Sequence, residues 1–156
     1  MRIQLLTPGH KMPDWVATAF MDYNQRLPQH LALQLVPITP AGGLKNQSPE
    51  AIKFREAEAI RQHTKPGDLN ISFDERGKKI DTAYLSGQLA NWQMNGVDVN
   101  LIVGGAEGLH DTLIKQSQYQ WSLSALTFPH QLVKVIIVEQ IYRAYSLLNN
   151  HPYHRA

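Results

Sequence analysis

The chain has no cysteine in its 156 residues. That excludes a disulfide framework, thiolate catalysis and any cysteine-ligated zinc or iron–sulfur site, and it fits a reducing compartment. Long apolar runs are also missing: the longest, residues 135–138, is far too short for a membrane span. The first nine residues are broken by Pro8 and Gly9 before an apolar signal core could form. A cytoplasmic protein is expected. Charge of one sign is scarce too, with 15 Lys+Arg against 13 Asp+Glu. A net charge of +2 does not announce nucleic acid, although beyond residue 112 Lys115, Lys134, Arg143 and Arg155 face the single acid Glu139. That local excess reads either as a site for an anionic partner or as an ordinary surface asymmetry. What the chain does have is a 43 % hydrophobic share with 18 % charged residues, enough for one ordinary core.

Apolar runs at residues 3–7, 33–38, 69–73 and 97–103 read as four strands, bounded by Pro8-Gly9, Pro40 with Gly42-Gly43, residues 74–77 and Gly104-Gly105. Between them lie helical patterns. Pro13 suits a first turn, Trp15, Val16, Ala19, Phe20, Tyr23 and Leu27 fall on one stripe, and Pro28 ends it. Ser48, Pro49 and Glu50 open a second helix running to about His63. Asp81 opens a third, closed by Gly96. Strand alternating with helix implies an α/β fold with a parallel sheet flanked by helices, and without repeat or linker the chain reads as one domain, 1–156.

The last helix, from about His130 to Asn149, differs. Glu139, Arg143, Ser146 and Asn150 form one narrow polar stripe, and aliphatic residues cover most of the rest. Such a helix is either deeply buried or presents a second apolar face to another copy; a homodimer is expected.

Familiar phosphate loops are absent. Residues 104–109, Gly-Gly-Ala-Glu-Gly-Leu, fail Gly-x-Gly-x-x-Gly, and residues 41–45 fail Gly-x4-Gly-Lys. Ser122 and Ser124 lack the glycines of a nucleophile elbow. A nucleotide hydrolase of flavodoxin-like topology is thereby weakened. Gly104-Gly105, at the end of a strand, either lets backbone approach a flat ligand or merely makes a turn. Glu107 in that loop either accepts from ribose hydroxyls or faces water. Residues 121–130, Trp-Ser-Leu-Ser-Ala-Leu-Thr-Phe-Pro-His, mix apolar groups with small hydroxyls. They suit a purine held by main-chain bonds, or else Leu123 and Leu126 form a short buried strand. The tail, Asn149 onward, ends in His151, Pro152, Tyr153, His154 and Arg155: either a frayed terminus or a surface for a base and a phosphate. A His-x-x-His metal pair lacks both helical spacing and a nearby acid, so no metal is expected.

Taken together, Lys11-Met12-Pro13-Asp14-Trp15-Val16, the run 103–109, Trp121-Ser122-Leu123-Ser124-Ala125-Leu126-Thr127, Tyr142-Arg143-Ala144 and Asn150-His151-Pro152-Tyr153-His154-Arg155 resemble the RlmH family over the whole chain. These are small SPOUT-class methyltransferases that modify N3 of a pseudouridine in 23S rRNA. The resemblance implies a C-terminal trefoil knot, a homodimer, the assembled ribosome as substrate and S-adenosyl-L-methionine as cofactor. By position it assigns cofactor contacts to Phe73, Gly104, Leu123, Ser124, Ala125, Leu126, Thr127 and Phe128. The competing reading is a non-catalytic RNA-binding α/β module, which would bind no such cofactor.

The implied chemistry requires the imide N3–H to lose its proton while flanking carbonyls gather negative charge. His154 is the candidate base or orienting group, with His130 as its alternative. Arg155 or Arg143 is the candidate cation, unless Arg143 only pairs with Glu139 four residues earlier. Tyr153 is the candidate stacking platform. Lys11, Arg26, Lys45, Arg76, Lys78 and Lys79 are candidates for wider rRNA contact or plain solvated charges.

Overall fold

A computed structural model describes residues 1–9, 12–41 and 46–154, with His154 described by its backbone alone. Five strands, β1 (Ile3–Pro8), β2 (Leu33–Ile38), β3 (Leu69–Lys79), β4 (Val99–Val103) and β5 (Tyr119–Ser122), form one parallel sheet in the order β2-β1-β4-β3-β5. Five helices join and follow them: α1 (Asp14–Asn24), α2 (Pro49–Arg61), α3 (Thr82–Asn95), α4 (Asp111–Gln116) and α5 (His130–Leu148). A single 3-10 turn, Pro152–His154, comes last.

Strands covered on both faces have no polar side to show, which is why the apolar runs are continuous. Ile3, Leu5, Val99, Leu101 and Val103 point to one face and pack with Phe20 of α1, Leu85 and Leu89 of α3, and Ile137, Val138 and Ile141 of α5. Leu6 and Ile102 point to the other, against Ala57 and Ile60 of α2 and Leu113 and Ile114 of α4. The helix starts read from the sequence hold. Ser48 accepts from the Ala51 N–H, Asp81 accepts from the Tyr84 N–H, and Gly96 closes α3 in the left-handed conformation.

Three expectations need correction. The sheet has five strands, not four: the short sequence Tyr-Gln-Trp-Ser at 119–122 carries too little apolar periodicity to announce itself, yet Trp121 is fully buried, stacked on Trp92 at 6.2 Å. Strand β3 does not end at Phe73. Phe73 and Lys78 both pair with Trp121, so residues 74–77 bulge out and the ladder resumes beyond them. A Cβ on Gly77 would lie 2.7 Å from the carbonyl of Gln120 and 2.8 Å from Trp121 C, so only glycine lets the chain return. Gly77→Ala is expected to destabilise the fold by about 1–3 kcal/mol, read as a lower denaturation midpoint, because backbone rather than a movable side chain blocks the new methyl. Finally, α1 ends at Asn24, so Leu27 is buried from the turn after the helix rather than from its stripe, and Trp15 leaves that stripe: Val16 and Phe20 face the core, whereas Trp15 is 60 % exposed.

Helix α5 buries Ile137, Val138, Ile141 and Ala144. Its polar stripe is not a solvent face either: Ser146 is buried with its hydroxyl donating to the Arg143 carbonyl, and Glu139 and Arg143 are half-buried. Leu132, Val135 and Ile136 stay half-covered, and Leu148 is exposed.

Candidate functional site

The ends of β3 and β4 open into a cleft of about 380 Å³, the position at which parallel α/β sheets take ligands. Its walls come from three places. Phe73 is the last paired residue before the bulge of β3, and Asp74 and Glu75 begin the bulge. Residues 104–109 follow β4, and residues 122–128 lead from β5 into His130 and Val133 of α5.

The glycine loop is tightly folded. Gly108 donates its N–H to the Gly105 carbonyl at 3.0 Å and adopts φ +86°, a left-handed conformation suited to glycine. A Cβ on Gly104 would stand 2.5 Å from Gly108 C and 2.8 Å from Leu109 N. The opposite wall, 122–128, is held by local hydroxyl bonds: Ser122 donates to the Ser124 carbonyl at 3.0 Å, and the Leu126 N–H donates to Ser124 Oγ at 3.0 Å. No strand continues past Ser122, and Leu126 is 71 % exposed, so the buried-strand reading of 123–126 fails at Leu126. Of the eight residues assigned to a cofactor, Phe73, Gly104, Leu123, Ser124, Leu126, Thr127 and Phe128 line this one cleft; Ala125 turns to solvent beside it.

The electrostatics of the cleft are one-signed. Its charged lining among the described residues is Asp74, Glu75 and Glu107, with no lysine or arginine. Burial would raise the pKa of Asp74, but hydrogen bonds from the side chain and backbone of Arg76 outweigh it and hold the carboxyl below its ordinary value. It is therefore ionised at neutral pH. His130 is also held below its ordinary value, by burial and then by neighbouring Lys134, and for an imidazole that means it is neutral there. Such a lining favours a cationic ligand and disfavours a polyphosphate. Asp74 and Glu75 escaped the sequence reading because they look like turn residues; Glu107, weighed between ribose and water, is exposed at the rim.

Behind the glycine loop stands Glu56 of α2, which the sequence reading missed. It is 5 % exposed, Oε2 accepts from the Ala41 N–H at 3.2 Å, and Oε1 has no partner among the described residues. A Cβ on Gly105 would lie 3.1 Å from Oε1. Burial raises its pKa, opposed by the Ala41 hydrogen bond and aided by Glu107. The folded state thus holds this proton more tightly than the unfolded chain does, so stability falls as pH rises from the ordinary carboxylate value through the raised folded one. Glu56→Gln keeps an acceptor for Ala41 and removes that loss. Its melting temperature is expected to match that of the parent near pH 4 and to exceed it increasingly towards neutrality; a constant difference across the range would contradict this.

The tail lies elsewhere. Tyr153 packs on Tyr142 at 4.8 Å and edge-on to Tyr23 at 6.4 Å, with the Arg143 guanidinium 4.9 Å from its ring centroid. Burial, hydrogen bonding with Tyr23 and the charge of Glu139 push its phenol up to about 12. Arg143 donates from Nε to Glu139 Oε1 at 2.7 Å, the pairing weighed as its alternative role. Tyr153 is thus folded back beside Tyr142 and Arg143, while the cleft takes His130 and Val133 from the start of the same helix. The 9 to 13 residues between them make a separation of about 14–20 Å along α5. The His154 side chain and Arg155 lie outside the described residues, as do Lys11 and Lys45. Among the other basic candidates, Arg26 stacks on Tyr23 and Tyr142, Arg76 pairs with Asp74 and Asp111, Lys78 sits over Tyr84, and Lys79 is exposed.

A family profile described as "Predicted SPOUT methyltransferase" matches residues 1–154. The chain belongs to this family. Curated relatives agree: it is 44 % identical over 155 residues to "Ribosomal RNA large subunit methyltransferase H" of Hahella chejuensis (strain KCTC 2396), and 42 % identical over 155 residues to the protein of the same name from Methylobacillus flagellatus (strain ATCC 51484 / DSM 6875 / VKM B-1610 / KT), with 99 % of each chain covered in both cases. Two solved structures share the fold. "Crystal Structure of Probable Methyltransferase from Bordetella pertussis Tohama I" superposes with a TM-score of 0.58 at 15 % identity, covering 92 % of this chain and 95 % of that one. "The structure of a probable methylase family protein from Haemophilus influenzae Rd KW20" gives 0.57 at 15 %, covering 96 % and 67 %. A SPOUT methyltransferase requires a methyl donor, and the acid-lined, glycine-backed cleft suits a cationic one. Among the described residues no cluster of three metal-ligating side chains occurs, and no helix is long and apolar enough to cross a membrane.

Proposed function

We propose that the chain transfers a methyl group from S-adenosyl-L-methionine to N3 of a pseudouridine in 23S rRNA on the assembled ribosome. One observation carries the reading: a cleft with a glycine back wall, an apolar wall at 123–128 and a rim of carboxylates, in a member of a methyltransferase family. The names of the relatives point to the rRNA. Bound in the cleft, the cofactor supplies an activated methyl group on a sulfonium centre. Gly104 lets backbone come close to it, the main chain of 123–128 offers hydrogen bonds to a purine, and Asp74 and Glu75 favour its positive charge.

Acceptor chemistry falls to the tail. Burial and its neighbours push the Tyr153 phenol up to about 12, so it stays protonated at neutral pH, which suits a platform. His154 takes the N3 proton or orients the ring, and Arg155 or Arg143 stabilises charge on the flanking carbonyls. His130 is the alternative acceptor, already at the cleft and held neutral.

Because Tyr153 lies beside Tyr142 and Arg143, about 14–20 Å along α5 from the cleft of its own chain, the tail that completes a site belongs to a second copy. A homodimer follows, for which the half-covered Leu132, Val135 and Ile136 supply an apolar face. Residues 1–156 act as one SPOUT domain with a C-terminal trefoil knot, working in the cytoplasm. The test is mass spectrometry of 23S rRNA after incubating the full chain with S-adenosyl-L-methionine and ribosomes that lack the modification. One added methyl at N3 of a pseudouridine is expected. Cofactor-independent RNA binding without methyl transfer would favour the binding-module reading instead.

A further inference from the structure

A second cavity, of about 290 Å³, opens at the ends of β1 and β2, one strand away from the acid-lined cleft, and is lined by Thr7, Gly9, Met12, Leu35, Pro37 and Lys134. Its chemistry is opposite. Lys134 is 3 % exposed, and its ammonium donates to one neutral group, Gln131 Oε1, at 2.9 Å; among the described residues no carboxylate pairs with it. A Cβ on Gly9 would stand 3.5 Å from Nζ, so the backbone at the end of β1 lies directly against the ammonium. Thr7 is also buried, and its hydroxyl has no partner among the described residues. A buried ammonium without a counter-charge and a buried hydroxyl without a partner are both costly, and both are satisfied by the same thing, an anionic oxygen. The first turn of α5 adds to this. Pro129 provides no capping side chain, no acid lies in the turn, and His130 and Lys134 stand one helical turn apart.

We infer that this cavity is a phosphate subsite that takes a backbone phosphodiester of the RNA strand beside the nucleotide being methylated. The inference rests on the proposed function for the identity of the RNA. The division of labour is electrostatic: the cleft with Asp74, Glu75 and Glu107 repels phosphate, so the strand must find its cation next to the cleft rather than in it, and Lys134 occupies that position.

The test uses full-length Lys134→Met, Lys134→Arg and Thr7→Val proteins. Methionine fills the same space without charge, so folding is preserved. With ribosomes as substrate, Lys134→Met is expected to raise KM about tenfold, with the effect on KM rather than kcat. It should also lower the slope of log KM against log salt by about one contact, and Lys134→Arg should restore both. Thr7→Val should raise KM less, without changing the salt slope. Inorganic phosphate, at ionic strength matched with chloride, is expected to raise the melting temperature of the parent but not of Lys134→Met. The inference is overturned if the KM and salt slope of Lys134→Met match the parent, if phosphate protects both equally, or if Lys134→Met loses dimerisation or calorimetric S-adenosyl-L-methionine binding instead. Should even the parent transfer no methyl group, the functional reading fails, and phosphate protection still decides whether the anion subsite exists.

Discussion

Gly104→Ala is expected to cost the protein at least a hundredfold in methyl transfer. The new methyl group would meet Gly108 C at 2.5 Å, Gly108 O at 2.8 Å and Leu109 N at 2.8 Å. All three are backbone atoms of the same short loop, so no side chain can swing aside and the loop itself must open. Overpacking of this kind costs about 1–3 kcal/mol of stability. A wall displaced by about 1 Å at a site that works by alignment costs roughly two orders of magnitude in rate. Calorimetry with S-adenosyl-L-methionine and single-turnover methylation should therefore both fail. The matched control is Gly87→Ala on the exposed face of α3, where nothing lies within 4 Å of the added Cβ. That change should stabilise the helix by about 1 kcal/mol and leave methylation intact. Wild-type cofactor affinity in Gly104→Ala would mean that the cofactor does not sit against this loop.

The second large effect concerns the tail. A Tyr153→Phe/His154→Ala chain keeps the ring that packs on Tyr142 and Tyr23, so its fold should survive while its methylation is lost. Mixed in equal amounts with Gly104→Ala, the two inactive chains should regain about a quarter of parental activity. Half of the randomly formed dimers are mixed, and each mixed dimer joins one intact cleft to one intact tail. Activity that never rises above either parent in the mixture would show that cleft and tail are not shared between copies.

Much of the fold was legible in the sequence because the physics that makes it is local. Parallel strands buried on both faces must be short aliphatic runs, and Ser48, Asp81 and Gly96 mark helix ends by their own hydrogen-bonding and backbone preferences. Strand β5 was not legible: four residues, two of them polar, carry no period, and its place is fixed by Trp121 stacking between elements distant in sequence. The continuation of β3 was hidden for the opposite reason. Residues 74–77 are good turn formers and do leave the ladder, but Gly77 brings the chain back.

At the site, Gly104 and the run 123–128 were legible through glycine geometry and family resemblance. The carboxylate rim was not, because Asp74, Glu75 and Glu107 become neighbours only through the order β1-β4-β3. Lys134 reads as surface charge in an aliphatic helix and proves to be buried. The distance between cleft and tail was only partly legible in the length of α5, because the turn at Pro152–His154 brings Tyr153 back onto Tyr142 and shortens it.

The most direct measurement is a crystal structure of the full chain with S-adenosyl-L-methionine bound. The adenosyl group should lie between Gly104 and residues 123–128, with the sulfonium on the side of Asp74 and Glu75 and the tail of a second copy at the mouth of the cleft. Cofactor bound away from Gly104, or a cleft completed within a single chain, would contradict the account.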